Sequence, residues 1–179
     1  VVQRWQRSTC VLGKISVLTD NNSNSPTKKR LVLGCGALVY DLLRLIENNP
    51  ALSDKVKLQC LPASWHNKPQ LIAPGVDEYL AKYGDLYEDI YIAYADCGTG
   101  GELDKVVEKY KAKRIGGAHC YEFFAGPEAF QEMSEQELGT FYLTDYLVKN
   151  FQRIMINGLG LDRYPELFDA YFANYKKLV

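Results

Sequence analysis

A glycine-rich turn between an apolar strand and a helix is the feature that most constrains how this chain folds. Residues 90–95 are apolar and aromatic, residues 96–101 read Asp-Cys-Gly-Thr-Gly-Gly, and a helical pattern begins near Leu103. An earlier stretch repeats the plan, with an apolar run at 31–33, the turn Gly-Cys-Gly at 34–36 and a helix after it. Strand, glycine turn and helix form half of a βαβ unit, so the repetition predicts parallel strands.

The rest of the chain continues the alternation of strands and helices. Further strands are predicted at 55–61, 114–115 and 140–144, a helix capped by Asp145 follows the last of these, and Pro165 suits the start of a final helix with Leu167, Phe168, Tyr171, Phe172 and Tyr175 on its apolar face. The pattern predicts a single α/β domain over residues 31–179, a three-layer Rossmann-like domain with a mostly parallel sheet. Residues 1–30 are predicted to be an N-terminal extension and polar linker.

Composition excludes some classes of partner. The chain has 179 residues, 47% hydrophobic and 24% charged, with a net charge of -1, which is typical of a soluble globular protein. This charge gives no electrostatic reason to expect nucleic acid as a partner, and no apolar run is long enough for a membrane span. Protein partners and a small-molecule or metal ligand remain as expectations.

The cysteines and the N-terminal segment bear on location. Five cysteines are widely spaced and none forms a C-x-x-C pair, which favours free thiols in a reducing compartment. Residues 1–19 are basic and contain no acid, so they fit either the tail of an organellar transit peptide or an ordinary basic extension. Within this segment, residues 10–12 and 15–19 fit a short edge strand or hairpin.

Chemically active side chains are predicted to meet at one edge of the sheet. In parallel sheets, ligands bind beyond the carboxyl ends of the strands, near a switch in strand order. The residues predicted to lie at these ends are Cys35, His66, Asp96, Cys97, His119, Cys120, Glu122, Thr144 and Asp145. Both histidines of the chain fall in this set, which predicts a Cys/His/Asp site.

Several interpretations of this set stay open. Thiolate and imidazole ligands suit a transition metal such as zinc or iron, with Cys35, Cys97, His119 and Cys120 as candidate ligands. Alternatively, Cys97 is a reactive thiolate near a helix N-terminus, with His119 as its base and Asp96 or Glu122 as an acid–base or supporting partner. A plainer alternative for Cys35 is a small side chain required between two glycines.

The glycine turns are the candidate cofactor-binding backbone. Gly34 and Gly36 resemble part of a nucleotide-binding loop, although the third glycine of G-x-G-x-x-G is missing and no acid closes the second strand. Gly98, Thr99 and Gly100 present backbone N–H groups before a helix, which favours an anion. Dense tyrosine and phenylalanine nearby are interpreted mainly as core, with a few as walls for a flat, partly apolar ligand.

Six short segments in order resemble a known family. They are residues 33–37, 61–69, 94–101, 119–126, 139–145 and 158–163, and they resemble the bacterial and archaeal domain-of-unknown-function family 1638. The resemblance covers residues 31–179 and implies that residues 1–30 are an addition and that a final strand and helix follow Val179 in relatives. Members are often encoded beside corrinoid-dependent methyltransferases, which implies handling of a methyl group, a corrinoid or a metal.

Two functions are therefore expected from different classes. The first is a metal- or cofactor-handling protein, for which the resemblance implies an accessory role in corrinoid-dependent methyl transfer. The chain lacks the D-x-H-x-x-G pattern of corrinoid carriers, so it would be a partner of the carrier. The second is a non-catalytic accessory or structural subunit of a larger assembly, and the basic N-terminal segment fits an organellar location for it. Whether the chain is an enzyme is left open by the sequence.

Overall fold

Four parallel strands form the main sheet. The computed structural model describes residues 29–179, so the basic segment and the edge strand or hairpin predicted within it lie outside the described residues. The strands β1 (Arg30–Cys35), β2 (Val56–Leu61), β3 (Ile90–Ala93) and β4 (Lys113–Arg114) lie in the order β2-β1-β3-β4. All three pairings are parallel, which confirms the predicted α/β fold with a mostly parallel sheet.

The helices between these strands return the chain to the start of the next parallel strand. The connection from β1 to β2 contains α1 (Val39–Glu47) and α2 (Pro50–Ser53), whereas α3 (Ile72–Tyr83) and α4 (Glu102–Lys109) follow β2 and β3. Because such crossovers are right-handed, α1 belongs to the opposite face from α3 and α4. The strand order switches between β1 and β3, and their carboxyl ends border the crevice where ligands bind in such sheets.

A second group of elements follows the main sheet. It comprises α5 (Glu122–Ala125), α6 (Pro127–Gln136), β5 (Thr140–Phe141), α7 (Asp145–Lys149), a π-helical segment (Gln152–Ile156), α8 (Phe168–Phe172) and β6 (Lys177–Leu178). The strands β5 and β6 pair in parallel as a separate two-stranded sheet. None of the helices within residues 29–179 combines the length and hydropathy that crossing a bilayer requires.

Three details of this second group differ from the predictions. The strand predicted at 140–144 is only two residues long and pairs with β6 rather than with the main sheet. Thr144, not Asp145, caps α7: its hydroxyl accepts the Leu147 N–H at 3.3 Å, because a threonine in extended backbone reaches the third amide of the helix. Asp145 lies in the first turn, where its charge suits the helix dipole.

The final helix is shorter than predicted. A 3₁₀ turn at Pro165–Leu167 leads into α8, which spans only five residues. Four of the five residues predicted for its apolar face are exposed, namely Leu167, Phe168, Tyr171 and Tyr175, whereas Phe172 is half-buried. The segment contributes Tyr171, Phe172 and Tyr175 to the wall of a cavity, and Phe172 also packs against the small cluster formed by Leu147, Ile154 and Met155.

The core lies against the main sheet. Leu31, Leu33, Val76, Leu80 and Leu103 are each at most 2% exposed and form one apolar cluster. These side chains come from β1, α3 and α4, so the cluster fixes the face of the sheet that α3 and α4 cover. Burial of such side chains contributes about 1.5–3 kcal/mol each relative to exposure.

The Gly36→Ala variant tests how tightly the end of β1 is packed. A Cβ at Gly36 would lie 2.8 Å from the Leu61 carbonyl oxygen and 2.9 Å from the Ala63 nitrogen, both backbone atoms. We expect the free energy of unfolding, measured by chemical denaturation, to fall by about 1–3 kcal/mol. Gly116→Ala is the matched control, because no heavy atom lies within 4 Å of its Cβ position. Equal effects of the two substitutions would contradict the packing argument.

Candidate functional site

A cavity of about 550 Å³ lies at the carboxyl ends of β1 and β3. One wall comes from the main sheet and the loops that follow its strands; the other comes from the elements after α5. The thiol and imidazole side chains that line the cavity are Cys35, His66, Cys97, His119 and Cys120. The fold therefore brings together all four predicted metal ligands and adds His66, while their chemical roles remain predictions.

Two of the thiols in this cavity, those of Cys97 and Cys120, are in contact. Their sulfur atoms lie 3.0 Å apart, although 22 residues separate them in the sequence. Two backbone hydrogen bonds set this approach: Asp96 N–H donates to the Gly117 carbonyl at 2.9 Å, and Cys97 N–H donates to the Ala118 carbonyl at 2.8 Å. The loop after β3 and the segment before α5 are thus tied together beside the thiols.

The electrostatics of the two thiols differ. The hydrogen bond between the two sulfur atoms lowers the pKa of Cys97, although partial burial opposes this change. The same hydrogen bond, with burial, raises the pKa of Cys120. Cys97 is therefore the more acidic thiol of the pair. The sequence had suggested a helix N-terminus as the cause, but α4 begins five residues after Cys97.

Cys35 is a buried, protonated thiol. It is 6% exposed, and the Ala37 N–H donates to its sulfur at 3.4 Å. Burial raises the pKa of Cys35 to about 11, with a smaller contribution from the charge of Cys97. Cys35 caps the short 3₁₀ turn Gly36–Leu38, which supports the alternative that a small side chain is required here.

Asp96 is bound to its own loop. Its carboxylate accepts the Thr99 hydroxyl at 2.7 Å and the N–H groups of Gly98, Gly100 and Gly101 at 3.0–3.2 Å. These bonds, the Thr99 hydroxyl first, hold the pKa of Asp96 at about 2. The loop N–H groups predicted to bind an anion are thus already occupied by a carboxylate of the chain. Asp96 does not line the cavity.

Backbone conformation explains how Asp96 and Cys97 point in different directions. Successive side chains of an extended strand alternate between faces, so both could reach a common site only if the strand had ended. Cys97 has a φ of 49°, which is uncommon for a residue other than glycine. The turn therefore begins at Cys97, directing its sulfur to the cavity while Asp96 faces the loop.

Both histidines line the cavity. The His119 ring packs edge-on against Phe130, with 6.2 Å between centroids, and the residue is exposed. The carboxylate of Glu122 accepts the N–H groups of Ala118 at 2.6 Å and His119 at 3.2 Å, so Glu122 shapes the turn that carries His119. Burial, followed by the charge of His119, lowers the pKa of His66.

The glycines predicted to bind a cofactor serve two different places. Gly34 and Gly36 leave no room for a side chain, since a Cβ at Gly34 would lie 2.9 Å from Leu42 Cδ1. Gly98 and Thr99 line a second groove of about 610 Å³ that also contains side chains of α3 and α4. Gly100 donates its N–H to Asp96. The structure therefore does not place these five residues around the cavity.

Two buried hydroxyl groups of the cavity lack hydrogen-bond partners. Among the described residues, the Tyr94 and Tyr142 hydroxyls meet no group with hydrogen-bonding geometry. Both line the cavity, and the Tyr142 ring packs against Tyr121 and Phe130 at centroid distances of 5.5 and 5.2 Å. Buried polar groups are nearly always paired, so these hydroxyls are available to bond a water or a polar atom of a ligand in the cavity.

Sequence reasoning missed most of the second wall. Phe130, Leu138, Met155 and Leu159 all line the cavity, yet none follows a strand of the main sheet. Their only signal in the sequence was the apolar and aromatic density of the C-terminal third. Within residues 29–179, no three or more His, Cys, Asp or Glu side chains are grouped so as to hold a metal ion. For a metal ion, the cavity contains two thiols in contact, and His119 and Cys35 also line it.

Removal of the Asp96 carboxylate tests its role in the loop. Asp96→Ala leaves three backbone N–H groups and the Thr99 hydroxyl without their acceptor, and Asp96 is partly exposed. We therefore expect a loss of about 1–2 kcal/mol in the free energy of unfolding near neutral pH. The folded pKa lies below the ordinary value of 3.8, so the contribution is present above that value and is lost as the pH falls toward about 2.

The measurement compares denaturation of the wild type and Asp96→Ala at neutral and acidic pH, with chelator present. The exposed Asp162→Ala serves as the control and is expected to change stability by less than about 0.5 kcal/mol. A difference between wild type and Asp96→Ala that does not narrow in acid would show that the carboxylate does not act as this acceptor.

Comparison with known proteins gives one match. Residues 60–179 match the family described as Protein of unknown function (DUF1638), a range that contains Cys97, His119 and Cys120 and begins after Cys35. No curated protein and no solved structure matches the chain. The match covers two thirds of the chain, and so the chain belongs to the DUF1638 family of proteins of unknown function.

Proposed function

We propose that this chain handles a metal ion or a metal-containing cofactor in the cavity at the carboxyl ends of β1 and β3. The observation that carries the proposal is the Cys97–Cys120 pair, 3.0 Å between sulfurs, at an otherwise largely apolar cavity. A thiolate with a lowered pKa beside a second thiol is a soft donor set, which suits zinc, iron or copper better than magnesium.

The number of donors argues for an open site. Structural zinc sites are closed by four protein ligands, and catalytic sites use three protein ligands and keep the fourth position free. Here two thiols lie in contact, and no group of three donors is assembled among residues 29–179. We propose that Cys97 and Cys120 supply the protein's ligands, that His119 is the next donor, and that the bound molecule completes the set.

The walls of the cavity define the class of molecule. A volume of about 550 Å³ is in the ordinary range for small-molecule sites. Aromatic rings from Tyr121, Phe130 and Tyr142 offer flat apolar surface, and the unpaired hydroxyls of Tyr94 and Tyr142 offer two hydrogen-bonding groups. This combination supports a flat, mostly apolar ligand with a few polar atoms.

An accessory role in corrinoid-dependent methyl transfer belongs to the same proposal. A thiolate is both a metal ligand and a nucleophile, so the Cys97 sulfur suits either a cobalt-containing partner or a transferable methyl group. Cys120 would hold the proton of the pair, and the apolar walls would exclude water from the thiolate. The reducing compartment expected from the cysteine spacing fits this use, since both thiols must stay reduced.

Zinc titration of the reduced chain tests the proposal. We expect one Zn²⁺ per chain in competition with a chromophoric chelator, and an affinity at least about 100-fold lower in Cys97→Ser and Cys120→Ser, because each substitution removes a ligand. Cys60→Ser is the matched control: Cys60 lies within β2 and does not line the cavity, so its affinity stays within about twofold. Unchanged zinc affinity in both Cys97→Ser and Cys120→Ser would refute the metal site.

We also propose, as a second candidate, that the chain is a subunit of a larger assembly. The supporting observation is an exposed apolar surface on the C-terminal segment, where Phe168 is 51% and Leu178 67% exposed although neither lines the cavity. Patches of this kind often mark protein interfaces. This role does not depend on the thiol pair.

Cross-linking mass spectrometry on the tagged chain isolated from expressing cells separates this role from the first. A subunit surface predicts a single partner cross-linked near Lys176 and Lys177, which is lost in the Phe168→Ser, Leu178→Ser double variant while zinc affinity is unchanged. Tyr40→Ser is the control, because Tyr40 is equally exposed at 51% but belongs to α1. Recovery of the same partner with the double variant would contradict the proposed interface.

A further inference from the structure

We propose that Cys97 and Cys120 are a dithiol site that reacts with small-molecule disulfides and closes to an intramolecular disulfide. This activity goes beyond metal or cofactor handling and does not require that the cavity binds either. Three features support this activity: the placement of the two sulfur atoms, the backbone that holds them, and the properties of the other described cysteines.

The geometry requires little movement. The sulfur atoms are 3.0 Å apart, and a disulfide bond is about 2.05 Å long, so they need to approach by about 1 Å. The backbone hydrogen bonds from Asp96 to Gly117 and from Cys97 to Ala118 already hold the two segments side by side. The φ of 49° at Cys97 directs its sulfur toward this partner. Closure therefore needs side-chain adjustment and no rearrangement of the fold.

Among the described cysteines, Cys97 and Cys120 are the pair that a small disulfide can reach. Cys97 and Cys120 are both half-buried and line the cavity, so a small disulfide can reach them. Cys35 is 6% exposed and its sulfur already accepts the Ala37 N–H, which leaves it poorly accessible to a reagent. Cys60 lies within β2 and does not line the cavity.

The reaction balances as two thiol–disulfide exchanges with a glutathione-type disulfide, RSSR. The Cys97 thiol loses its proton, the resulting thiolate attacks one sulfur of RSSR to form a mixed disulfide, and the released first RS⁻ takes up that proton. The Cys120 sulfur then attacks the Cys97 sulfur, the second RS⁻ leaves, and the Cys120 proton passes to a released thiolate. Overall, two protein thiols are oxidised to one disulfide and RSSR is reduced to two RSH.

Mass spectrometry of the full chain, first reduced with a phosphine and then treated with glutathione disulfide and chelator, tests this reaction. The Cys10→Ser background is used throughout, because Cys10 lies outside the described residues. We expect a peptide that links Cys97 to Cys120 and little glutathione adduct. In Cys120→Ser the second step is blocked, so the Cys97 mixed disulfide should accumulate at least about tenfold over its level in the parent.

Controls make each outcome decisive. Cys60→Ser should form the link as the parent does, and Cys120→Ala repeats the trapping experiment if Cys120→Ser does not fold, as judged by circular dichroism. A stable adduct at Cys97 in the parent without the link, or a link from either cysteine to Cys35, would overturn the proposal. Because these assays are metal-free, their failure is distinguishable from failure of the zinc titration.

Discussion

The site depends on two backbone hydrogen bonds beyond the end of the β3–β4 pairing. The strand β4 pairs only at Lys113 and Arg114, and the chain then leaves the regular sheet. The hydrogen bonds from Asp96 to Gly117 and from Cys97 to Ala118 bring it back against the loop that follows β3. Together with the packing of Cys120 and Phe123 against the main core, they fix the segment that carries His119 and Cys120 relative to Cys97. A short stretch of irregular pairing thus creates the thiol contact.

Two carboxylates hold the loops on either side of this contact. Asp96 accepts three N–H groups and one hydroxyl from the loop after β3, and Glu122 accepts two N–H groups from the turn before α5. Both residues were predicted as acid–base or supporting partners, and the structure gives each a supporting position. Loops without such acceptors would lose the hydrogen bonds that hold these amide groups in their present turns.

The sequence predicted the sheet better than it predicted the cavity. Alternating apolar strands and helical stripes have clear periods, and of the nine residues predicted at the strand carboxyl ends, six line one cavity and three do not, namely Asp96, Glu122 and Asp145. The short strands β5 and β6 contain two residues each, too few for a period to be visible, so their pairing and the second wall were missed. The Cys97–Cys120 contact has no spacing motif, because it arises from the fold.

The sequence around Asp96 contains a pattern that indicates a role in its own loop. An aspartate followed by threonine and several glycines is a common acceptor for its own loop, since its short side chain reaches amides two to five residues ahead. The same glycines looked like an anion site when considered alone. When an acid precedes a glycine-rich turn, its carboxylate can accept the N–H groups of that turn. Those N–H groups are then not available to an external anion.

The largely apolar cavity explains why the thiol pair supports two different kinds of chemistry. A thiolate at Cys97 loses hydration among aromatic walls, and the hydrogen bond with Cys120 outweighs this cost and lowers the pKa of Cys97. A bound metal cation would neutralise the charge of that thiolate, and a disulfide would remove it. They also exclude one another, because the sulfur electrons that bind a metal are consumed in the S–S bond. The proposed metal binding would therefore depend on the thiol redox state, because both use the same pair of sulfur atoms.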